Sequence, residues 1–134
     1  MTRPLIYIAS PYTLGDCAAN VARAMHTWHE LWKMGFAPIC PLWSHFQQLL
    51  TPLAYADWLE YDLHILSQCD AVLRLSGESA GADRETRCAR DTGILVFVSI
   101  EDLLLHFGRL NLDGRNEDFF HGGDPGPGCD QAGL

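Results

Sequence analysis

The sequence predicts a small α/β protein of the doubly wound kind, Rossmann-like or flavodoxin-like: about four parallel strands in one sheet, with helices on both faces. Three observations predict it. Short runs that are apolar throughout, and rich in β-branched and aromatic residues, read as strands buried on both faces. Between them lie longer segments whose apolar residues recur at helical spacing. The two kinds alternate along most of the chain, which calls for right-handed crossovers and therefore a parallel sheet covered on both sides.

Taken in order, Pro4 to Ala9 (PLIYIA) is the first strand, ended by Ser10-Pro11. Asp16 to Met34 carries Val21, Met25, Trp28 and Trp32 on one helical stripe, with Gly35 as the stop. Phe36 to Cys40 is the second strand. Residues 41 to 53 (PLWSHFQQLLTPL), with two prolines and several aromatics, form a connection with one helical turn inside it, and connections of this length often line sites. Tyr55 to Gln68 is a second helix, Ala71 to Leu75 a third strand, Ala82 to Thr92 a third helix stopped by Gly93, and Ile94 to Val98 a fourth strand. Ser99 with Asp102 caps a last helix that ends near Gly108.

A chain of 134 residues is sized for one hydrophobic core. The domain is expected over residues 1–110. Residues 111–134, with GGDPGPG near the end, lack any period and read as a mobile acidic tail. The tail holds Asp113, Glu117, Asp118, Asp124 and Asp130 against Arg115, a net −4, which is half of the total −8. With no basic stripe elsewhere, long nucleic acid and anionic membrane are poor partners, and a small ligand is favoured. The five cysteines form no CxxC pair and suit reduced thiols in the cytoplasm. No apolar run approaches the roughly 18 residues of a membrane span. Dinucleotide, Walker-type, nucleophile-elbow and zincin motifs are lacking, and no cofactor or metal is expected.

In open parallel sheets ligands bind beyond the carboxyl ends of the strands, where the strand order reverses. The loops Ser10 to Gly15 and Ser76 to Gly81 are therefore the candidates. Two carboxylates stand out by helical face. Asp62 falls within the apolar stripe of Trp58, Leu59, Ile65 and Leu66; Glu85 shares a face with Gly81, Ala82, Cys88 and Ala89. Carboxylates on such faces are either functional or held by a structural partner, a capped loop for Asp62 and an arginine for Glu85. Asp70, between a helix and a strand, suits a structural hydrogen bond. Trp43, His45 and Phe46 either meet a base or plug the sheet edge. His26 and His29 share the polar side of the first helix with Lys33 and read as solvated surface.

The stretch Asp62-Leu63, Leu66, Cys69-Asp70, an apolar strand, then Ser79-x-Gly81-x-x-x-Glu85 resembles the signature of nucleoside 2-deoxyribosyltransferases and of deoxynucleoside 5′-monophosphate N-glycosidases. YIASPYT, Tyr7 to Thr13, is similar to that family's first strand and loop, and the resemblance covers roughly residues 4–98. It implies Glu85 as nucleophile, Asp62 as the acid near base or ribose, and Tyr7 or Tyr12 as an aromatic beside the nucleophile. It also implies Ser79, with Gly81, as the holder of a 5′-phosphate and Ser10 as a neighbour of the substrate. Pro11 departs from the family, where glycine is common, and has no N–H to offer a phosphate.

The implied function is cleavage or exchange of the N-glycosidic bond of a nucleoside or nucleoside monophosphate, through a glycosyl-Glu85 intermediate. A homodimer or higher homo-oligomer is implied with it. The chemistry agrees: an oxocarbenium-like transition state needs a carboxylate beneath the anomeric carbon, and the departing base needs an acid. Carboxyls at different depths would hold different protonation states, and the dipole of the third helix would favour ionised Glu85. The competing functions are a nucleotide-binding module without turnover and a scaffold that keeps only the fold.

Overall fold

The computed structural model describes residues 3–108. The expected tail, 111–134, lies outside the described residues. Four strands, β1 (Leu5–Ala9), β2 (Ala37–Ile39), β3 (Ala71–Arg74) and β4 (Leu95–Phe97), form one all-parallel sheet in the order β2-β1-β3-β4. Five α-helices accompany them: α1 (Cys17–Lys33), α2 (Ser44–Leu50), α3 (Tyr55–Leu66), α4 (Ala80–Asp91) and α5 (Ile100–Phe107). This is the doubly wound α/β fold that the alternation of periods predicts.

Strand order fixes which helices cover which face. The chain steps from β1 to β2 in one direction, then back across β1 to β3 and on to β4, so right-handed crossovers place α1 on one side and α3 and α4 on the other. Packing agrees. Ile6, Ile8, Ala71 and Leu73 pack with Val21, Leu31 and Leu103 of α1 and α5, while Tyr7, Ala9 and Val72 pack with Leu66, Ala82 and Ala89 of α3 and α4. The reversal lies between β1 and β3, where Tyr7 pairs with Val72.

Local chemistry sets the element ends. Asp16 caps α1, its Oδ1 accepting from the N–H groups of Ala18 and Ala19 at 2.9 and 3.1 Å. Asp70 accepts the Leu5 N–H at 2.7 Å and donates its own N–H to the Leu5 carbonyl at 2.8 Å, the structural role expected of it. Ser99 caps α5 through the Asp102 N–H. Two boundaries differ from expectation. The helix α4 begins at Ala80 rather than Ala82 because Ser79 Oγ accepts the Ala82 N–H at 3.1 Å. The connection after β2 holds more than one turn: a 3₁₀ turn, Pro41–Trp43, runs into the seven residues of α2. No residue of α2 is buried, so apolar period gave no sign of it.

The loop after β3 is held from two sides. Arg74 donates to the carbonyls of Leu75 and Gly77, and Arg23 of α1 donates to the Ser76 carbonyl at 2.7 Å. Gly77 has φ +120°, and a Cβ there would stand 2.9 Å from Cγ of Pro11, so glycine lets the loops after β1 and β3 touch. Gly77→Ala is therefore expected to destabilise by roughly 1 to 3 kcal/mol. Gly93→Ala, at φ +81° with open space around it, should lose less. Urea denaturation of both variants measures the difference, and equal losses would show that the Pro11 contact constrains nothing.

Candidate functional site

Alternation along β1 sends Ile6 and Ile8 to the α1 side and Tyr7 to the other, beneath α3 and α4. From α3, Asp62 projects over the same region, and from the second turn of α4 so does Glu85. Burial on α4 falls on Ala82, Thr86 and Ala89, while Asp83, Arg84, Arg87, Arg90 and Asp91 are exposed, which turns Glu85 inward as its face predicted. Gly81 permits the approach of the two helices: a Cβ there would lie 3.3 Å from the Tyr55 hydroxyl.

Two adjoining hollows open at this place. The first, about 710 Å³, runs from the loop after β1 to the start of α4 and is bounded by Ser10, Tyr12, Ser79, Gly81, Glu85 and Asp62 among others. The second, about 560 Å³, lies on the β2 side of Asp62 and includes Tyr7 and Trp43. Asp62, Trp58, Ser44 and Leu53 line both. Of the residues expected in the catalytic or substrate site, Glu85, Asp62, Tyr7, Ser10, Tyr12, Ser79, Gly81 and Trp43 line a hollow and His45 does not. Its Nδ1 is 2.8 Å from the Tyr12 hydroxyl, tying α2 to the loop after β1. Tyr12 is thereby engaged with His45, and Tyr7 is the tyrosine beside Glu85. Trp43 lines the second hollow, and its ring stands 5.9 Å from that of Trp28 on α1. Phe46 is exposed and plugs nothing.

Three buried side-chain polar atoms complete no hydrogen bond among the described residues: Tyr7 Oη, Ser10 Oγ and Glu85 Oε2. Buried polar groups are nearly always paired, so three orphans at one end of β1 mark a place built for something else to pair them. Among the described residues no hydrogen bond joins either carboxylate to the structural partner weighed for it, a capped loop for Asp62 or an arginine for Glu85. Arg74 pairs instead with Asp83 at 3.0 Å, and no hydrogen bond among the described residues ends on the Asp62 carboxylate.

Electrostatics follow from this isolation. Burial pushes Glu85 up to about 7; the nearby Tyr7 hydroxyl and Arg74 draw it down, and Asp62 pushes it further up. Burial alone pushes Asp62 up to about 7. Tyr7 is raised well above its ordinary value by burial first, then by the charges of Glu85 and Asp62. The two carboxyls thus share one range instead of the separated values expected.

The sequence did not single out Ser44, Gln48, Tyr55, Trp58 and Tyr61 as site residues, though all line a hollow. Trp58, one turn before Asp62 on the same face, carried a signal. Gln48 carried none: its Oε1 accepts the Leu53 N–H at 2.9 Å and the Trp58 indole N–H only because the chain reverses after α2. His26 and His29 are exposed on α1, and no group of three or more metal-ligating side chains is found among the described residues.

Because both acids ionise at about 7 when folded and near 4 when unfolded, the folded state holds extra protons between those values, and stability falls as pH rises through that window. Glu85→Gln removes one such cost. It is expected to be more stable than the parent at about pH 8, by up to ~3 kcal/mol, and to gain nothing at about pH 4. Urea denaturation at the two pH values tests this; a loss of stability at the higher pH would reveal a stabilising partner for the carboxylate.

No helix among the described residues is long and apolar enough to cross a membrane. No curated protein and no solved structure matches the chain. One family model, described as a domain of unknown function (DUF7768), matches residues 4–98, from the start of β1 to just past β4 and including every residue of the site named above. By that match over most of its length, the chain belongs to the DUF7768 family.

Proposed function

We propose that the protein cleaves or exchanges the N-glycosidic bond of a nucleoside or nucleoside 5′-monophosphate, with Glu85 as nucleophile. The observation that carries this reading is the unpartnered Glu85 carboxyl beside Tyr7 and Asp62, at the strand-order reversal and on the wall of a ligand-sized hollow. The resemblance to nucleoside 2-deoxyribosyltransferases assigns the same residues.

Near neutral pH two coupled carboxyls, each titrating at about 7, favour holding one proton between them. The proposed reaction puts the charge on Glu85, which the Tyr7 hydroxyl and Arg74 help to bear, and the shared proton on Asp62. In the first displacement a Glu85 oxygen bonds to the anomeric carbon, the carbon–nitrogen bond breaks, and the base leaves with the Asp62 proton. In the second, water or a new base gives a proton to Asp62 and attacks the same carbon, and the bond to Glu85 breaks. Protein carboxyls, water and the acceptor balance the reaction, and no cofactor enters it.

A 5′-phosphate fits the start of α4. The first N–H groups of a helix have no acceptor within it, and the field there favours an anion. Ser79 spends its oxygen lone pair on the Ala82 N–H and keeps its O–H to donate. Ser10 and Tyr12 would then border the sugar. The exposed apolar Phe46, Leu49, Leu50 and Tyr61 beside the hollows support the further reading that a second copy of the chain covers them. The free cysteines at 17, 40, 69 and 88 agree with a cytoplasmic location.

Incubation with a panel of nucleosides and monophosphates should release free base, faster from monophosphates, and Ser79→Ala should erode that preference by about 1.5 to 3 kcal/mol. Glu85→Gln should lower base release by several orders of magnitude with the fold intact. Methanol as acceptor should give a methyl glycoside of retained configuration. Inversion would rule out the nucleophile, and binding without release would make the protein a nucleotide-binding module.

A further inference from the structure

The site continues past Asp62 into space that the proposed reaction leaves unused. Each hollow alone is within the several hundred cubic ångströms that enclose a drug-sized ligand, so a nucleotide over Glu85, with its phosphate at the start of α4, leaves the second hollow unfilled. That space is walled by Ile39, Trp43, Trp58, Tyr61 and Ile65. The Trp58 indole N–H is already given to Gln48, so its ring presents only an apolar face there. Its polar lining is few in number: Ser44, Gln47, Asp62 and the fully buried Tyr7, whose hydroxyl lies beside Glu85.

Direction follows from the order of the groups. In the proposed reaction the anomeric carbon lies over Glu85 and the glycosidic nitrogen at Asp62, and Asp62 is the one ionisable side chain among the four that border both hollows. Only the leaving group can enter the second. We infer that the natural leaving group is a nucleobase carrying a bulky apolar substituent, aryl or branched alkyl, seated among Trp43, Trp58, Tyr61, Ile39 and Ile65. An unsubstituted base would leave loosely held water against apolar walls, and a group that displaces such water gains affinity. The inference rests on the glycosidase reading for the direction of the substrate and on the hollow for its chemistry.

The test compares matched monophosphates, ribo and deoxyribo, in which adenine does or does not carry a benzyl group on its exocyclic nitrogen and uracil does or does not carry a phenyl group at C5. The substituted member of at least one pair should show kcat/KM higher by about tenfold or more, the scale of discrimination an apolar pocket provides. Ile65→Phe, which fills the hollow, and Ile65→Ala, which removes part of its wall, should abolish that advantage while leaving turnover of the unsubstituted nucleotide intact. Two variants of opposite volume guard against a folding defect in either. If unsubstituted nucleotides are cleaved and no substituted one is cleaved faster or bound tighter, the inference is overturned and the glycosidase reading stands. If nothing is cleaved, yet tryptophan fluorescence shows the substituted nucleotides binding about tenfold tighter and Ile65→Phe removing the difference, the hollow keeps its role and the glycosidase reading fails. Absence of both cleavage and binding overturns the two together.

Discussion

Glu85 on α4 and Asp62 on α3 stand half-buried over the same tyrosine of β1, and among the described residues neither accepts a hydrogen bond from an arginine or a backbone N–H, the usual company of a carboxylate so placed. Everything else about the site depends on that isolation. It raises both groups into the neutral range, lets one proton serve the pair, and leaves Tyr7 and Ser10 with unspent hydrogen-bonding capacity. A fold selected for stability alone would have placed apolar side chains at these positions, since an unpaired polar group in the interior costs free energy. The isolation is costly, and it is sustained by the apolar sheet and helices around it.

The scaffold supplies the position. With the strand order reversing between β1 and β3, α3 and α4 lie together on one face, and their neighbouring stripes converge over Tyr7. The loops after β1 and β3 are brought into contact by Gly77 against Pro11 and fastened by Arg23 and Arg74. Against this rigid corner stands α2, which buries no residue and is tied by the Tyr12–His45 and Gln48–Trp58 contacts. The polar floor of the site belongs to the sheet and the long helices, while part of its apolar rim belongs to the least embedded helix of the described residues.

Much of this was legible in the sequence. Period alone placed the strands, the long helices and the inward faces of Asp62 and Glu85, because the core imposes its spacing on every segment it touches. Less legible was whatever depends on segments that do not touch the core. The helix α2 was reduced to a turn because Phe46, Leu49 and Leu50 face outward. Gln48 and Tyr61 join the site only through chain reversal. The choice between Tyr7 and Tyr12 required the hydrogen bond to His45, thirty-three residues away in sequence. Separation of the two carboxyl pKa values was expected from different depths, whereas burial pushes both to about 7, with Tyr7 and Arg74 drawing the deeper Glu85 back down.

The central claim is that the isolated Glu85 carboxylate forms a bond to the sugar. Fluorine beside the anomeric carbon slows both displacements through an oxocarbenium-like transition state, and a base that leaves readily restores the first alone, so from such a nucleotide a covalent intermediate should accumulate once base has left. Intact-protein mass spectrometry after quenching, followed by peptide mapping, reads it directly. The account predicts a gain of one glycosyl unit on the peptide that contains Glu85. Base release with no adduct, or an adduct on another side chain, would contradict it.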